Sequence, residues 1–177
     1  MNSIPRHCFV GLLVLFPVLS RAQSVTNNPI SPHAQNLVVL QGEKLVPLKP
    51  DEFLRAPYTI LYFAAGWCPD CRRFSPALVD AYDRQDKGEK RFEVLLLTRD
   101  KTEGDMLRYM QREKMKWPAL AFDKAGAASD LEKYYSGHGI PCLTVIDRDG
   151  NVVLQSRSDQ DANEVLRELQ ALLKNKV

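Results

Sequence analysis

Disulfide staples, a surplus of one charge and a membrane-spanning run are all missing from this sequence. Four cysteines in 177 residues staple very little, and one of them, Cys8, lies in an amino-terminal segment of different character. The 24 Lys and Arg residues stand against 22 Asp and Glu, and removing residues 1–22 takes away Arg6 and Arg21 and no acid. With the two signs then equal, no nucleic-acid footprint is visible. The apolar run Cys8–Leu19 has 12 residues, where a spanning helix takes roughly 20. No internal repeat, phosphate loop, Ser-His-Asp arrangement or spaced pair of glycosidase carboxylates is found. A peroxiredoxin-type peroxidase needs Thr or Ser three residues before its cysteine, and Ala65 stands there.

What is present begins with a leader. Arg6 and His7 precede CFVGLLVLFPVLS, and Ser20 and Ala22 give the small-residue pattern of a signal peptidase site. Residues 1–22 are therefore expected to be a cleaved secretory signal, which removes Cys8, and residues 23–36, polar with two prolines, a linker. Residues 37–177 are expected to form one domain. Export to the periplasm or outside the cell puts the three remaining cysteines where disulfides persist, and their odd number suggests a working pair plus a leftover thiol.

Within the domain, NLVVLQ and KLVPLK flank Gly42 as a hairpin, and TILYF at 59–63 and FEVLLLT at 92–98 read as buried strands. A helix is expected from Pro69 to about Gln85, kinked at Pro76, and another from Thr102, with Asp105 three residues on. Residues 117–122 are read as extended, and Ser129 with Glu132 as the start of a short helix ending at Tyr135. CLTVID and NVVLQS flank the turn signal Asp149-Gly150. A last helix spans about 161–175, with Val165, Leu166, Leu169, Leu172 and Leu173 on one face.

The chemistry gathers at GWCPDCRRF, residues 66–74. The pair Cys68 and Cys71 sits where a strand meets a helix, and amides and the helix dipole there favour a thiolate on Cys68. Cys71, one turn inside, is expected to be shielded, and an exposed attacker with a nearby resolving thiol is what disulfide exchange needs. Pro69 limits the loop. Trp67 either covers the pair and meets a partner or fills the core. Cys68, Cys71, His138 and Cys142 also have the ligand types of a zinc or copper site, which leaves a metal-binding chaperone as an alternative, beside a redox-inactive binding domain. The rigid proline and helix start suit exchange better than tetrahedral ligation, so no metal is assigned.

LYFAAGWCPDC after an apolar strand, the stretch MKWPALAF and GIPCLTVIDRDGNVV together resemble the thioredoxin-like superfamily, and within it the tryparedoxin and nucleoredoxin branch, over roughly residues 37–174. The resemblance implies an α/β thioredoxin fold, a central mixed sheet flanked by helices, here with an amino-terminal β-hairpin extension. It implies Cys68 as nucleophile, Cys71 as resolving thiol, Pro141 as a cis residue facing them, and Ile140 offering its backbone to a bound peptide. Where thioredoxin has a buried aspartate, six residues before the first cysteine, Tyr62 stands. Water, Tyr62 or Asp70 must then relay the proton. Asp70 replaces the proline of tryparedoxins, and its charge either opposes thiolate formation or merely suits a helix start. Cys142 points either to the sulfurs or to the core. The core is favoured, because a third accessible thiol would scramble the couple.

The expected activity is that of a protein-disulfide oxidoreductase without a bound organic cofactor, leaning to reductase. Expected partners are protein or small-molecule disulfides and thiols and an upstream redox partner. No nucleic acid and no stable membrane insertion after signal cleavage are expected, and the protein should be a monomer.

Overall fold

Residues 28–85, 90–158 and 161–175 are described by the structure, a computed structural model. The expected signal, and the expected linker up to residue 27, lie outside the described residues. The strands are β1 (Leu37–Gln41), β2 (Lys44–Pro47), β3 (Tyr58–Ala64), β4 (Phe92–Thr98), β5 (Ala119–Leu120), β6 (Cys142–Asp147) and β7 (Val152–Gln155). The helices are α1 (Pro50–Phe53), α2 (Pro69–Asp83), α3 (Glu103–Arg112) and α4 (Ala162–Lys174). Among the described residues the strands form one mixed sheet in the order β2-β1-β5-β4-β3-β6-β7. β3, β4 and β5 run parallel, while β6 and β7 on one side and β1 and β2 on the other pair antiparallel.

The sheet is central because its middle strands are apolar on both faces. All of β3 and all but the last residue of β4 are buried, as continuous apolar runs in parallel strands require. Alternation then sorts the side chains. Ile60, Tyr62 and Ala64 face one side with Val94, Leu96, Leu143 and Val145. Leu61 and Phe63 face the other with Leu95, Leu97, Cys142 and Ile146. The first face is covered by Phe74 and Leu78 of α2, Met106, Tyr109 and Met110 of α3, and Val165, Leu166 and Leu169 of α4. The second has thinner cover, chiefly Phe53 of α1, Ile30, and Ala128, Leu131 and Tyr134 from the 3-10 segment Gly126–Tyr134.

Local signals set the helix starts. Thr102 caps α3 by accepting the Asp105 N–H at 3.1 Å, and Asp161 caps α4 by accepting that of Glu164 at 2.9 Å. α2 begins with Cys68 at its N-cap and Pro69 in its first turn, and runs through Pro76.

Two expectations need correction. Residues 28–36 do not behave as a linker: Ser31–Asn36 is a 3-10 turn, Ile30 is fully buried, and the Asn36 carbonyl accepts the Ala121 N–H at 2.9 Å. Pro29 packs so closely on the Asp149-Gly150 turn that a Cβ at Gly150 would lie 2.7 Å from its Cδ. A single buried isoleucine contributes about 1.5–3 kcal/mol yet has no sequence period, so the pattern hid it. The short helix expected from Ser129 is present as a 3-10 turn: the segment Gly126–Tyr134 is broken at Ala128, whose backbone is not helical, and the turn after that break begins at Ser129 and ends at Tyr134. The extended stretch at 117–122 shrinks to Ala119–Leu120, since the chain bends at Trp117 and Phe122–Lys124 already turns.

Candidate redox-active site

The loop between β3 and α2 is fixed at its first residues by groups from α2, β4 and the loop that follows β4. Gly66 donates its N–H to Asp100 Oδ1 at 2.9 Å, and its carbonyl accepts Arg72 Nη1 at 2.9 Å. A Cβ at Gly66 would come within 2.9 Å of Tyr109 Cβ, so only glycine lets α3 lie this close. Thr98 donates its hydroxyl to Asp100 Oδ2 at 2.9 Å, which orients the carboxylate.

Cys68 follows at the N-cap of α2, where its Sγ accepts the Cys71 N–H at 3.2 Å. The same sulfur lies 3.4 Å from the carbonyl oxygen of Ile140. Ile140 and Pro141 are joined by a cis peptide bond, as the resemblance implied. Pro141 and Ile140 line a groove of about 410 Å³ with Phe74, Asp70, Arg73 and His138. Cys68 was expected to be exposed, but the residue is only 5% exposed and Cys71 0%. The difference between the sulfurs lies in what they touch. Cys68 meets a helix N-terminus and the groove wall, whereas burial pushes the Cys71 thiol well above its ordinary range, with the Cys68 sulfur and the Asp100 charge adding to that.

Behind Cys71 lies a closed triangle of hydroxyls. Tyr62 Oη is 3.1 Å from Ser75 Oγ and 3.0 Å from Tyr109 Oη, and Ser75 Oγ is 2.7 Å from Tyr109 Oη and donates to the Cys71 carbonyl at 2.8 Å. Burial raises both tyrosines above their ordinary range. Tyr62 therefore keeps its proton and shares it within the triangle. Asp70, the other relay candidate, is exposed and paired with Arg73, and the carboxylate whose charge acts on Cys71 is Asp100. Burial raises Asp100 as well, against the hydrogen bonds from Thr98 and Gly66. Asp100, Ser75 and Tyr109 escaped sequence reasoning. The signal for Asp100 was a polar residue just past the carboxyl end of a buried parallel strand, the edge where such sheets place their sites.

Trp67 does not fill the core. It is 57% exposed, beside the cysteine pair, and its Nε1 donates to the Arg99 carbonyl at 3.0 Å. Cys142 does go to the core, on the face opposite the redox pair. It is the register partner of Phe63, and its sulfur lies 3.5 Å from Ser136 Oγ. The expected alternative of zinc or copper held by Cys68, Cys71, His138 and Cys142 is thereby corrected, because the sheet separates Cys142 from the pair. Among the described residues no three His, Cys, Asp or Glu side chains gather as a metal site.

A cysteine pair at a helix start, set against a cis-proline loop on a mixed sheet, defines a thiol-disulfide redox protein of thioredoxin fold. The thioredoxin-like family model matches residues 57–152, and the chain belongs to that family. Tryparedoxin of Trypanosoma brucei brucei is 36% identical over 127 residues, covering 72% of this chain and 83% of that protein. Nucleoredoxin of Xenopus laevis is 32% identical over 116 residues, which is 66% of this chain but only 27% of the nucleoredoxin. Among solved structures, tryparedoxin from Trypanosoma brucei matches with a TM-score of 0.59 at 29% identity, covering 80% of this chain and 91% of that one. Tryparedoxin II in complex with glutathionylspermidine matches with a TM-score of 0.58 at 30% identity, over 76% and 88% of the two chains.

Proposed function

We propose that this protein is an exported protein-disulfide reductase cycling between the Cys68–Cys71 dithiol and disulfide. The observation that carries the reading is the unequal setting of two neighbouring sulfurs. Cys68 Sγ accepts a backbone amide at a helix start and faces the Ile140 carbonyl, while Cys71 is enclosed with its thiol held protonated. The Cys68 thiolate attacks one sulfur of a partner disulfide, and the other partner sulfur leaves and takes up a proton. Cys71 then gives up its proton and attacks Cys68 Sγ, releasing the second partner thiol. Two electrons pass to the partner, and an upstream dithiol restores the pair. The resolving step needs a proton acceptor near Cys71, and Asp100 is assigned that role. The groove lined by Ile140 and Pro141 receives the partner, with the exposed Trp67 next to Cys68 offering a further contact and Pro69 holding the sulfurs close.

Burial keeps the Cys71 thiol protonated in the reduced form, which supports the reducing end of the range for this fold, about −270 mV in thioredoxin against about −120 mV in its strongly oxidising members. The leader read from residues 1–22 supports export to the periplasm or beyond the cell. The glutathionylspermidine complex of tryparedoxin II supports a small thiol compound as upstream donor here. Protein disulfides are proposed as the substrates, and the chain as a monomer.

Trapping tests the reading. Cys71→Ser should accumulate reducible adducts through Cys68 on non-reducing gels, since the resolving attack is gone, and Cys68→Ser should trap none. Absence of adducts, together with failure of the wild type to reduce insulin, would leave a binding domain instead.

A further inference from the structure

We infer that Arg99 is a positioning residue that holds Trp67 and the loop of residues 135–141, the two walls that flank Cys68, at a fixed separation; the inference rests on the disulfide-exchange reading above. Arg99 follows the end of β4 and reaches one wall with its main chain and the other with its side chain. Its N–H donates to the Ala64 carbonyl at 2.7 Å, which continues the pairing of β3 and β4 past their ends, and its carbonyl accepts the Trp67 indole N–H at 3.0 Å. Its guanidinium makes a two-pronged pair with Glu132, at 2.9 and 2.6 Å, in the 3-10 segment that leads into the second wall. The same group lies 4.9 Å from the centre of the Tyr135 ring and 5.2 Å from that of Phe63.

Both rings lead to the proline loop. Tyr135 Oη accepts the Gly139 N–H at 3.1 Å, immediately before Ile140, and Phe63 is paired across β3 and β6 with Cys142, immediately after Pro141. Cys68 follows Trp67 in the chain, and its Sγ lies 3.4 Å from the Ile140 carbonyl of the other wall. A lone surface ion pair orients little. A planar fork held by a carboxylate and two ring faces has its direction fixed, and lysine cannot reproduce that geometry. Arg99 touches neither sulfur, so its contribution is to the spacing of the two walls and not to the electron balance of the couple.

The test uses the full chain with Arg99→Ala, Arg99→Lys and Tyr135→Phe. Arg99→Ala should raise the KM for insulin about fivefold, equivalent to about 1 kcal/mol, with kcat within about twofold and the reduction potential in a glutathione titration unchanged. Hydrogen exchange should quicken at the Trp67 indole and the Gly139 amide while the Val94 amide in β4 stays protected. Arg99→Lys should give the same pattern in weaker form, and Tyr135→Phe should quicken Gly139 alone. An unchanged KM with unchanged exchange at Trp67 and Gly139 would overturn the inference, as would exchange quickened equally at Val94, which marks general loosening. If the wild type reduces no disulfide, the functional reading fails, and exchange at Trp67 and Gly139 still decides whether Arg99 holds both walls.

Discussion

On one face of the sheet α2, α3 and α4 enclose Cys68 and Cys71 beside a cluster of hydroxyls; on the other, short helical turns enclose Cys142 among apolar side chains. All three thiols are free and nearly inaccessible, with residue exposures of 5%, 0% and 1%. Burial therefore does not separate the cysteines proposed to exchange electrons from Cys142. What differs is the company. Cys68 has a helix N-terminus and a second sulfur within reach, whereas Cys142 has a strand partner and one serine hydroxyl. The hydroxyl-rich face also places a buried carboxylate, Asp100, where its charge acts on Cys71.

The largest contrast is in turnover. Cys68→Ala should abolish insulin reduction, a loss of at least about a thousandfold since the attacking sulfur is gone, while Cys142→Ala stays within about twofold of wild type. Comparable losses in both would break the distinction between the faces. Alkylation comes next. In the reduced protein Cys68 should react at neutral pH about a hundredfold faster than Cys71, because only thiolates react, and mass mapping after brief iodoacetamide treatment reads it. A raised thiol keeps its proton as pH climbs, so Cys71 labelling should still be rising about tenfold per pH unit at pH 9, with no plateau.

The same shift has a sign in stability. Cys71 stays protonated in the folded protein above the unfolded thiol value of about 8.5, so the folded state then binds more protons than the unfolded one. Reduced protein should therefore lose stability as pH rises above that value. Cys71→Ala should remove this loss at pH 9, below the range where the buried tyrosines, which are raised in the same way, begin to add to it, and urea titrations at pH 7 and pH 9 would show whether it does.

A smaller change is expected at Asp100. Asn at this position can still accept the Gly66 N–H, but it cannot take the Cys71 proton. Asp100→Asn should slow release from the mixed disulfide about tenfold, within the range for loss of a proton-transfer group, and raise Tm slightly, since the folded protein no longer buries that charge. Stopped-flow release kinetics beside a melting curve would separate the two effects. The smallest effect is the stability cost of Cys142→Ala, about 1 kcal/mol for removing one buried sulfur without collapse of the site, with the reduction potential unchanged in a glutathione titration.

The hairpin, the two buried strands and the capped helices were legible because local rules produce them. Apolar runs, Thr102 with Asp105, and Asp149-Gly150 all act within a few residues of themselves. Legible for the same reason was the CxxC at a strand-to-helix junction. Residues 28–36 were not, since Ile30 docks on a surface built by distant strands and leaves no period in its own neighbourhood. Asp70 misled because nearness in sequence is not nearness in space. Its carboxylate turns to Arg73, and Asp100, further along the chain, acts on Cys71 instead.

The sequence by itself determined which residues start helices, which strands are buried, and that Cys68 caps α2 with Cys71 one turn behind, because these depend on backbone geometry and side-chain periods over a few residues. Only the tertiary structure decided that Cys142 lies across the sheet from the redox pair, that Tyr62 meets Ser75 and Tyr109, and that Arg99 joins Trp67 to the proline loop. The register between β3 and β6 sets the first, and the approach of α3 to Gly66 sets the second. Packing of β4's end against the 3-10 segment sets the third. Each depends on side chains far apart in the chain, and no local pattern encodes the distance between them.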